Sequence, residues 1–305
     1  MTKITKLSQL SEHLKQTGKL AKVAVAVAED ANTISSIDHA VREGWLHAIL
    51  LGNHDKIVAL CEAEHIDHTC FEIIDHADEN QATLAATAMV KQDAADVLMK
   101  GLVGTDKFLK SVLDKEKGLL PPKAVMSYTC ALEIPAYKKL LFVSDTAVLT
   151  YPDLNQKKAM LEYSVAMTHK FGIREPKVAL ISATEKVGTA LPNTFDDAQL
   201  CKMNERGQIK NCIVDGPLDI FLACDPQATE IKQTPNRIVG EADILIFPNL
   251  ESANSFYKGL MLFAQAELAG LIQGTSKPVV VMSRSESADS KFYCLALAAL
   301  MAGES

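Results

Sequence analysis

A short segment near the carboxyl end of the sequence combines side chains that bind phosphate with a carboxylate that can accept a proton. It reads Ser283-Arg284-Ser285-Glu286-Ser287-Ala288-Asp289 and follows an apolar run at 278–282. An arginine fork beside hydroxyls and helix N–H groups is a donor set that captures phosphate bidentately. The chain has only five arginines, so Arg284 at a strand end is a candidate phosphate ligand. The alternative is an N-cap cluster in which Ser285 or Ser287 caps a helix.

Asp289 falls in the first turn of the helix predicted over 286–301. A carboxylate that faces a bound anion has its pKa raised by the like charge, which brings a general base closer to neutral pH. Helix capping explains the same residue equally well, because carboxylates are favoured at the positive end of a helix. The position of Asp289 in the sequence is compatible with both roles, as a general base and as a capping residue.

A second anion-binding candidate is the turn around Lys100 and Gly101, which ends the strand predicted at 96–100. A turn of this kind can aim backbone N–H groups at an anion, with the lysine adding a point charge. The simpler interpretation is an ordinary turn in which Thr105 or Asp106 caps the following helix. On this motif alone the simpler interpretation is favoured.

Two amide side chains, Asn249 and Asn254, lie between an apolar strand and a helix and can orient a carbonyl or amide group of a ligand. They are equally suited to turn and cap positions. The dipeptide Gly216-Pro217 predicts a turn directly after a strand at 212–214.

A metal site is rejected for the cluster Cys61, His65, His68 and Cys70. Its spacing fits no familiar zinc pattern, and Cys61 occupies an apolar position of a predicted helix. We expect the histidines to be solvated loop residues and the protein to bind no metal.

The elements that must position these residues alternate between short apolar runs and longer amphipathic stretches. The predicted strands are 22–28, 47–51, 71–74, 96–100, 124–128, 140–143, 177–182, 212–214, 243–248 and 278–282. The helical patterns include 7–17, 33–43, 107–113, 251–269 (closed by Gly270) and 286–301. Unbroken apolar strands are typical of parallel sheets covered by helices on both faces, which predicts a three-layer α/β/α architecture.

Composition limits the partners. The chain has 305 residues, 48% hydrophobic and 23% charged, with 31 Lys plus Arg, 38 Asp plus Glu and a formal net charge of −7. At about 150 residues per domain, this length predicts two domains. The negative charge argues against nucleic acid or an anionic membrane as the main partner, so an anionic ligand must be bound by local groups.

Neither a secretory signal nor a membrane span is predicted, because the amino terminus lacks an apolar core and the apolar runs fall short of roughly 18 to 20 residues. Seven cysteines are scattered without a CxxC pair, as expected for reduced thiols. We expect a cytoplasmic protein. The nucleotide fingerprints GxGxxG and GxxxxGK[ST] are absent from the sequence, which disfavours a nicotinamide dehydrogenase or a P-loop kinase.

Several motifs together resemble the phosphate acetyl/butyryl transferase family, and its phosphate butyryltransferase branch in particular. They are Met99-Lys100-Gly101, Phe142-Val143-Ser144-Asp145-Thr146-Ala147, Ala183-Thr184-Glu185-Lys186-Val187, Val214-Asp215-Gly216-Pro217, the run 240–258 with Asn249, Asn254 and Tyr257-Lys258, and 277–284 ending in Ser283-Arg284. Each motif alone is weak evidence for the family, but together the motifs occur in the family's order and span most of the chain.

The resemblance implies reversible acyl transfer between coenzyme A and inorganic phosphate, with acyl-CoA and phosphate as substrates and no metal or other cofactor. It implies two three-layer α/β/α domains with mostly parallel sheets and an active cleft between them. The first domain would comprise 1–140 plus 271–305 and the second 141–270. A homodimer or larger homo-oligomer is also implied.

The resemblance also implies roles for single residues. Ser283 would hydrogen-bond the acyl carbonyl or phosphate, Arg284 would bind phosphate, and Asp289 would take the CoA thiol proton. Substrate-binding positions would be Lys100, Gly101, Asp145, Asn249, Asn254, Tyr257, Lys258, Ser285 and Ser287. Acetyl-type members place their Asp one residue further from the Ser-Arg pair, which keeps Glu286 as the alternative base.

The segment after the Tyr-Lys pair is the second point at which the sequence departs from the acetyl-type pattern, and it bears on the acyl group that is transferred. Acetyl-type members carry an arginine shortly after the Tyr-Lys pair, whereas this chain continues as Gly259-Leu260-Met261-Leu262-Phe263. The larger number of apolar residues in this segment favours butyryl as the acyl group, although residues 260–263 can equally belong to the buried core side of a helix. The alternatives are a phosphate acetyltransferase and a non-catalytic acyl-CoA sensor.

Overall fold

A computed structural model of the protein describes residues 3–282 and 286–303. The helices are α1 (Gln9–Thr17), α2 (Ala31–Arg42), α3 (His54–Ala63), α4 (Glu79–Lys91), α5 (Thr105–Val112), α6 (Leu154–Lys170), α7 (Asn193–Glu205), α8 (Ile220–Cys224), α9 (Pro226–Lys232), α10 (Leu250–Ala264) and α11 (Ala288–Ala302). The strands are β1 (Ala21–Ala26), β2 (Leu46–Gly52), β3 (Glu72–Asp75), β4 (Val97–Lys100), β5 (Ser127–Glu133), β6 (Leu141–Ser144), β7 (Lys177–Ile181), β8 (Ile213–Leu218), β9 (Ile244–Ile246), β10 (Glu267–Gln273) and β11 (Val279–Val280).

The chain divides into two units. The terminal unit comprises Leu7–Met126 and Ala269–Ser305, and the central unit comprises Met1–Lys6 and Ser127–Leu268. Each unit combines strands with helices, and the strands are mostly parallel, so the predicted α/β class is confirmed. The domain boundaries predicted after residues 140 and 270, and the cleft between the domains, stay predictions.

In the terminal unit the strand order is β3-β2-β1-β4-β11-β10. Strands β1 to β4 and β11 pair in parallel, and β10 runs antiparallel to β11. Successive strands are added on one side of β1 up to β3, and β4 then pairs with the other side. Because parallel crossovers are right-handed, this reversal places α2 and α3 on one face of the sheet and α4 on the other.

In the central unit the order is β5-β6-β9-β7-β8, with β5 antiparallel to β6 and the remaining pairs parallel. Strand β9 is fully buried, as its unbroken apolar sequence predicts. Phe142 on β6 packs edge-on against Phe171 at the end of α6, with ring centroids 5.0 Å apart. Helix α6 is thereby fixed against the sheet.

The predicted helix 251–269 is confirmed up to residue 264 and wrong over 265–269. Helix α10 ends at Ala264, where Gln265 takes a left-handed conformation with φ of 53°, and β10 follows. Gly270 lies inside this strand, and its N–H donates to the Cys294 sulfur at 3.0 Å instead of ending a helix. An apolar run rich in Ala and Leu fits either element, and here burial in the sheet decides.

Two further predictions are corrected by strand pairing. The strand predicted at 124–128 lies instead at Ser127–Glu133, because Thr129 to Leu132 pair with β6 in unbroken register. The dipeptide Gly216-Pro217, for which a turn is predicted, instead lies within strand β8. Strand β8 is the last in the order of its unit, an edge position at which proline costs no ladder hydrogen bond.

Along the described chain, no helix combines the length and apolar character that crossing a bilayer requires.

One buried carboxyl in the central unit is poorly paired. Asp197 on α7 is only 4% exposed and accepts one hydrogen bond from the described residues, from Asn193 Nδ2 at 3.4 Å. Burial raises its pKa to about 7, although the Lys157 ammonium opposes the rise. That ammonium is itself 2.8 Å from Asp196.

We expect Asp197→Asn to change the pH dependence of stability. An unfolded aspartate has a pKa near 3.9, so between about pH 4 and 7 the folded state holds a proton that the unfolded state has released. Stability from this group therefore falls as pH rises through that window. Relative to the wild type, the free energy of unfolding of the variant should rise by about 2 to 3 kcal/mol between pH 5 and pH 8 in urea titrations.

The control is Asp153→Asn, at an exposed N-cap of α6 where asparagine also caps. A constant difference between Asp197→Asn and the wild type across this pH range would contradict the assignment.

Candidate active site

The carboxyl ends of β1 and β4 lie side by side in the terminal unit, with Ala26 opposite Lys100. After β1 the chain continues through α2 to β2. Strand β2 pairs with one side of β1 and β4 pairs with the opposite side. Loops that diverge from two adjacent parallel strands leave a crevice, and ligands of open α/β sheets bind there. Lys100 and Gly101 therefore occupy a topological switch point.

The backbone at this point is closely packed. Gly101 N–H donates to Ala26 O at 2.9 Å, and Leu102 N–H donates to Val27 O at 2.7 Å. A Cβ at position 101 would lie 2.1 Å from Val27 O, so a side chain there displaces one of the two loops. Glycine is required for this close approach, which accounts for the motif in physical terms.

Lys100 is 6% exposed, and its ammonium donates to Gly101 O at 3.1 Å. Strand β11 pairs in parallel with β4 and places Val280 beside Met99, so the chain leaves β11 next to Lys100. The residues that follow along the chain include Ser283, Arg284 and Ser285, which lie outside the described residues.

The start of α11 is described from residue 286. Ser287 is its N-cap, and its hydroxyl accepts the Ser290 N–H at 3.0 Å, as the capping interpretation predicts. Asp289 is exposed in the first turn, and Glu286 is half-buried before it. The substrate-binding role of Ser287 and the base role of Asp289 stay predictions.

A partly buried ion pair joins this helix to the switch point. Lys291 is 3% exposed, and its ammonium lies 2.9 Å from Asp30 Oδ2, in the loop after β1. Asp30 also caps α2 by accepting the Thr33 N–H at 3.0 Å. Burial acts to raise the pKa of Asp30, but the bonds from Lys291 and Thr33 outweigh it and lower the pKa below its usual value.

The role of Lys291 is not recognisable from the sequence, because a lysine in a helix is usually exposed to solvent. Its partner Asp30 lies 261 positions away in the chain. The pair fixes the first turns of α11, where Asp289 lies, against the loop that leaves β1.

In the central unit, Asp145 is 1% exposed at the end of β6. Its carboxylate accepts the N–H groups of Ala147 at 2.8 Å, Val148 at 2.9 Å, Leu149 at 3.2 Å and Tyr128 at 3.1 Å. Burial raises its pKa and these bonds oppose the rise. The carboxylate thus organises the loop after β6, while its predicted contact with substrate stays a prediction.

Helix α10 is tied to the same loop. Asn249 caps the helix by accepting a backbone N–H of the first turn at 2.9 Å, and Asn254 Nδ2 donates to Thr146 O at 2.9 Å. Tyr257 and Lys258 follow three and four positions after Asn254, a spacing that places them on one helix face. The structure therefore gathers Asp145, Asn254 and this helix face at the carboxyl ends of β6 and β9.

The apolar end of α10 is not helix core. Leu262 is 74% exposed and Phe263 is 84% exposed. The core interpretation of this segment is wrong for these two residues.

The described residues hold no group of three or more His, Cys, Asp or Glu placed to bind a metal ion. Cys61 is buried in α3, where burial raises the pKa of its thiol to about 11, while Cys70 is exposed.

Comparison with known proteins decides the family. The family model described as "Phosphate acetyl/butaryl transferase" matches residues 78–299, which include every predicted site residue from Lys100 to Asp289. The chain belongs to the phosphate acetyl/butyryl transferase family. It is 42% identical over 285 residues to a phosphate butyryltransferase of Clostridium acetobutylicum, covering 93% of this chain and 94% of that protein.

Other relatives in this family differ in the acyl group that they are named for. A phosphate acetyltransferase of Thermotoga maritima is 39% identical over 285 residues, covering 93% of this chain and 96% of its own. Among solved structures, a branched-chain phosphotransacylase from Enterococcus faecalis superposes with a TM-score of 0.84 at 27% identity, covering 94% of this chain and all of that one.

We expect Gly101→Ala to destabilise the protein by about 1 to 3 kcal/mol, because the added methyl forces the loops after β1 and β4 apart. Urea unfolding measures the change. The matched control is Gly188→Ala, since a Cβ at Gly188 meets no atom within 4 Å. Equal losses in the two variants would show that the close approach at position 101 is unimportant.

Proposed function

We propose that the protein transfers a short acyl group, with butyryl preferred, reversibly between the sulfur of coenzyme A and inorganic phosphate. The observation that carries the reaction class is the match to transferases of one family, aligned over 93% of this chain in both curated relatives described above. The preference for butyryl is supported by the apolar residues 260–263, which follow the Tyr257-Lys258 pair where acetyl-type members carry an arginine. The substrates are an acyl-CoA and phosphate, and the products are an acyl phosphate and free CoA.

The proposed reaction is a direct transfer within a ternary complex. A phosphate oxygen attacks the thioester carbonyl carbon, a C–O bond forms, the C–S bond breaks, and CoA leaves as a thiolate that takes a proton. In reverse, a base removes the thiol proton and the sulfur attacks the acyl phosphate. A thiol with a pKa near 8.5 is only about a few per cent thiolate at pH 7, and a positioned base adds about 10² to 10⁴ in rate.

Phosphate and the developing oxyanion are assigned to Ser283 and Arg284. The register of β11 with β4 supports this, because the chain leaves β11 next to Lys100 and reaches Ser283 after three residues. Lys100 and the Gly101 turn lie at the same switch point. Guanidinium, hydroxyl and ammonium groups are the donor types that stabilise negative charge on a carbonyl oxygen and on phosphate.

The base is assigned to Asp289. Its exposure in the first turn of α11 keeps the carboxylate accessible to a thiol, and the Lys291–Asp30 pair two residues further on fixes the helix. Glu286 is the alternative.

The reaction is proposed to use no cofactor besides its substrates, and acyl transfer needs no redox cofactor because no oxidation state changes. A homodimer or larger homo-oligomer and a cytoplasmic location are part of the same proposal. All seven cysteines are free thiols, which agrees with a reducing compartment.

The first test compares kcat/KM for butyryl-CoA and acetyl-CoA, with phosphate as acceptor and release of free thiol as the readout. We expect thiol release that depends on phosphate and favours butyryl-CoA. A preference for acetyl-CoA would make the protein a phosphate acetyltransferase. Binding of CoA without any thiol release would leave the acyl-CoA sensor as its function.

The second test changes the assigned side chains. Arg284→Ala should raise the KM for phosphate by about 10- to 100-fold, as expected for loss of a charged hydrogen bond. Asp289→Asn should lower kcat by about 10² or more with little change in KM. Steady-state kinetics with both substrates varied separates the two effects.

Glu286→Gln serves as the comparison for Asp289→Asn. Full kcat across pH in Asp289→Asn together with a loss in Glu286→Gln would move the base to Glu286.

A further inference from the structure

The central unit contains a cavity at the amino-terminal edge of its sheet, away from the predicted active-site residues of that unit. The cavity encloses about 500 Å³ and lies where β6, β7 and β9 begin, beside Lys139, Lys177 and Asp243. Ligand sites commonly measure about 300 to 1,000 Å³. The five residues of β7, at about 3.3 Å each, separate this edge from the carboxyl edge by about 15 Å.

The inner wall of the cavity is uncharged. The Tyr137 hydroxyl donates to Ala242 O at 2.8 Å and is in hydrogen-bond contact with the Cys224 thiol. Burial raises the pKa of both groups, to about 11 for Cys224, so both stay neutral at physiological pH. Ile173 and Pro226 complete an aromatic and aliphatic surface. Because its polar atoms are already paired, this wall offers a ligand shape and apolar contact.

Two of the lysines that line the cavity are neutralised within the protein. Lys139 Nζ lies 2.7 Å from Asp243 Oδ1, and Lys177 Nζ lies 2.8 Å from Glu241 Oε2. These pairs connect the start of β6 and β7 to the start of β9. Because each of these lysines has a carboxylate partner, neither needs an anionic ligand to neutralise its charge.

Three other cations at the rim remain. Lys3, Lys138 and Arg174 are exposed, and none of them forms an ion pair or a side-chain hydrogen bond with the residues that the structure describes. Of the acidic side chains in the lining, only Glu175 is left to offset them. The lining therefore carries an excess of two positive charges in a chain whose net charge is −7. A concave surface concentrates the field of such charges.

We propose that this cavity is a second ligand site, which binds a phosphate monoester of about nucleoside-monophosphate size. The phosphate lies at the rim, where Arg174 supplies a fork of N–H donors and Lys138 and Lys3 supply point charges. The ring or apolar part of the ligand lies against Tyr137 and Ile173. A phosphate monoester suits the rim because its charge of about −1.5 to −2 at pH 7 matches the local excess.

The site is independent of acyl transfer, so its test must exclude binding at the acyl-transfer site. Adenosine 5′-monophosphate is titrated calorimetrically into the full-length protein saturated with dephospho-CoA, which can occupy a CoA site but, unlike CoA, carries no phosphate monoester that would compete for the rim. We expect binding under these conditions. Loss of all binding when dephospho-CoA is saturating would place the nucleotide at the acyl-transfer site and overturn the proposal.

Arg174→Gln should weaken this binding by about 10-fold or more, the effect of losing one charged hydrogen bond. Arg206→Gln is the matched control, an exposed arginine of the same unit that does not line the cavity, and should leave binding unchanged. Equal effects of the two substitutions would reduce the interaction to the overall charge of the protein and overturn the proposal.

Two further titrations test the division of the ligand between rim and wall. Adenosine, which lacks the phosphate, and inorganic phosphate, which lacks the ring, should each bind at least about 10-fold more weakly than the nucleotide. Adenosine binding as tightly as the nucleotide would overturn the role of the rim. Inorganic phosphate binding as tightly would overturn the role of the wall.

Acyl transfer is measured separately and without nucleotide. Arg174→Gln should keep the wild-type kcat and KM, whereas a loss of kcat would assign Arg174 to the acyl-transfer site and overturn a separate site. Failure of the wild type to release thiol would contradict the proposed function and leave the calorimetric result standing.

Discussion

The parallel pairing of β1 with β4 is the constraint on which the terminal unit depends. The hydrogen bonds of this pair continue beyond the strands, from the N–H groups of Gly101 and Leu102 to the carbonyls of Ala26 and Val27. They hold two diverging loops together, so that the ammonium of Lys100 and the carboxylate of Asp30 share one edge of the sheet. A side chain at position 101 is incompatible with this contact, which couples local backbone geometry directly to the site.

Much of the fold follows from apolar runs in the sequence. Strands such as β9 are short, buried and bounded by turns, so few alternatives compete with them. The errors occur where local pattern fits two structures and tertiary pairing decides. Residues 267–273 suit a helix as well as a strand, and only their burial in the sheet makes them β10. The placement of β5 likewise depends on its register with β6, which lies about ten residues further along the chain.

The positions of several predicted site residues follow from the strand ends, although their roles toward substrate stay predictions. Lys100, Gly101 and Asn249 lie at or just after the end of a strand, and such an end is visible in the sequence. What these side chains contact is not visible. Asp145 turns inward to four backbone N–H groups, and the Lys291–Asp30 pair joins residues from opposite ends of the chain. Such partners are fixed by topology, which no local pattern encodes.

The distribution of charge shows how an acidic chain can bind anions at more than one place. At physiological ionic strength, charges on the surface act over a Debye length of about 8 Å, so the net charge of −7 weighs less on a bound anion than the few cations beside it. In the central unit, Lys258 lies on the helix at the carboxyl ends of the strands, and Arg174 lies at their amino-terminal edge. The strands set these edges about 15 Å apart, which exceeds that screening length. The interaction between anions held at the exposed surfaces of the two edges is therefore largely screened, so that each edge can bind an anion of its own.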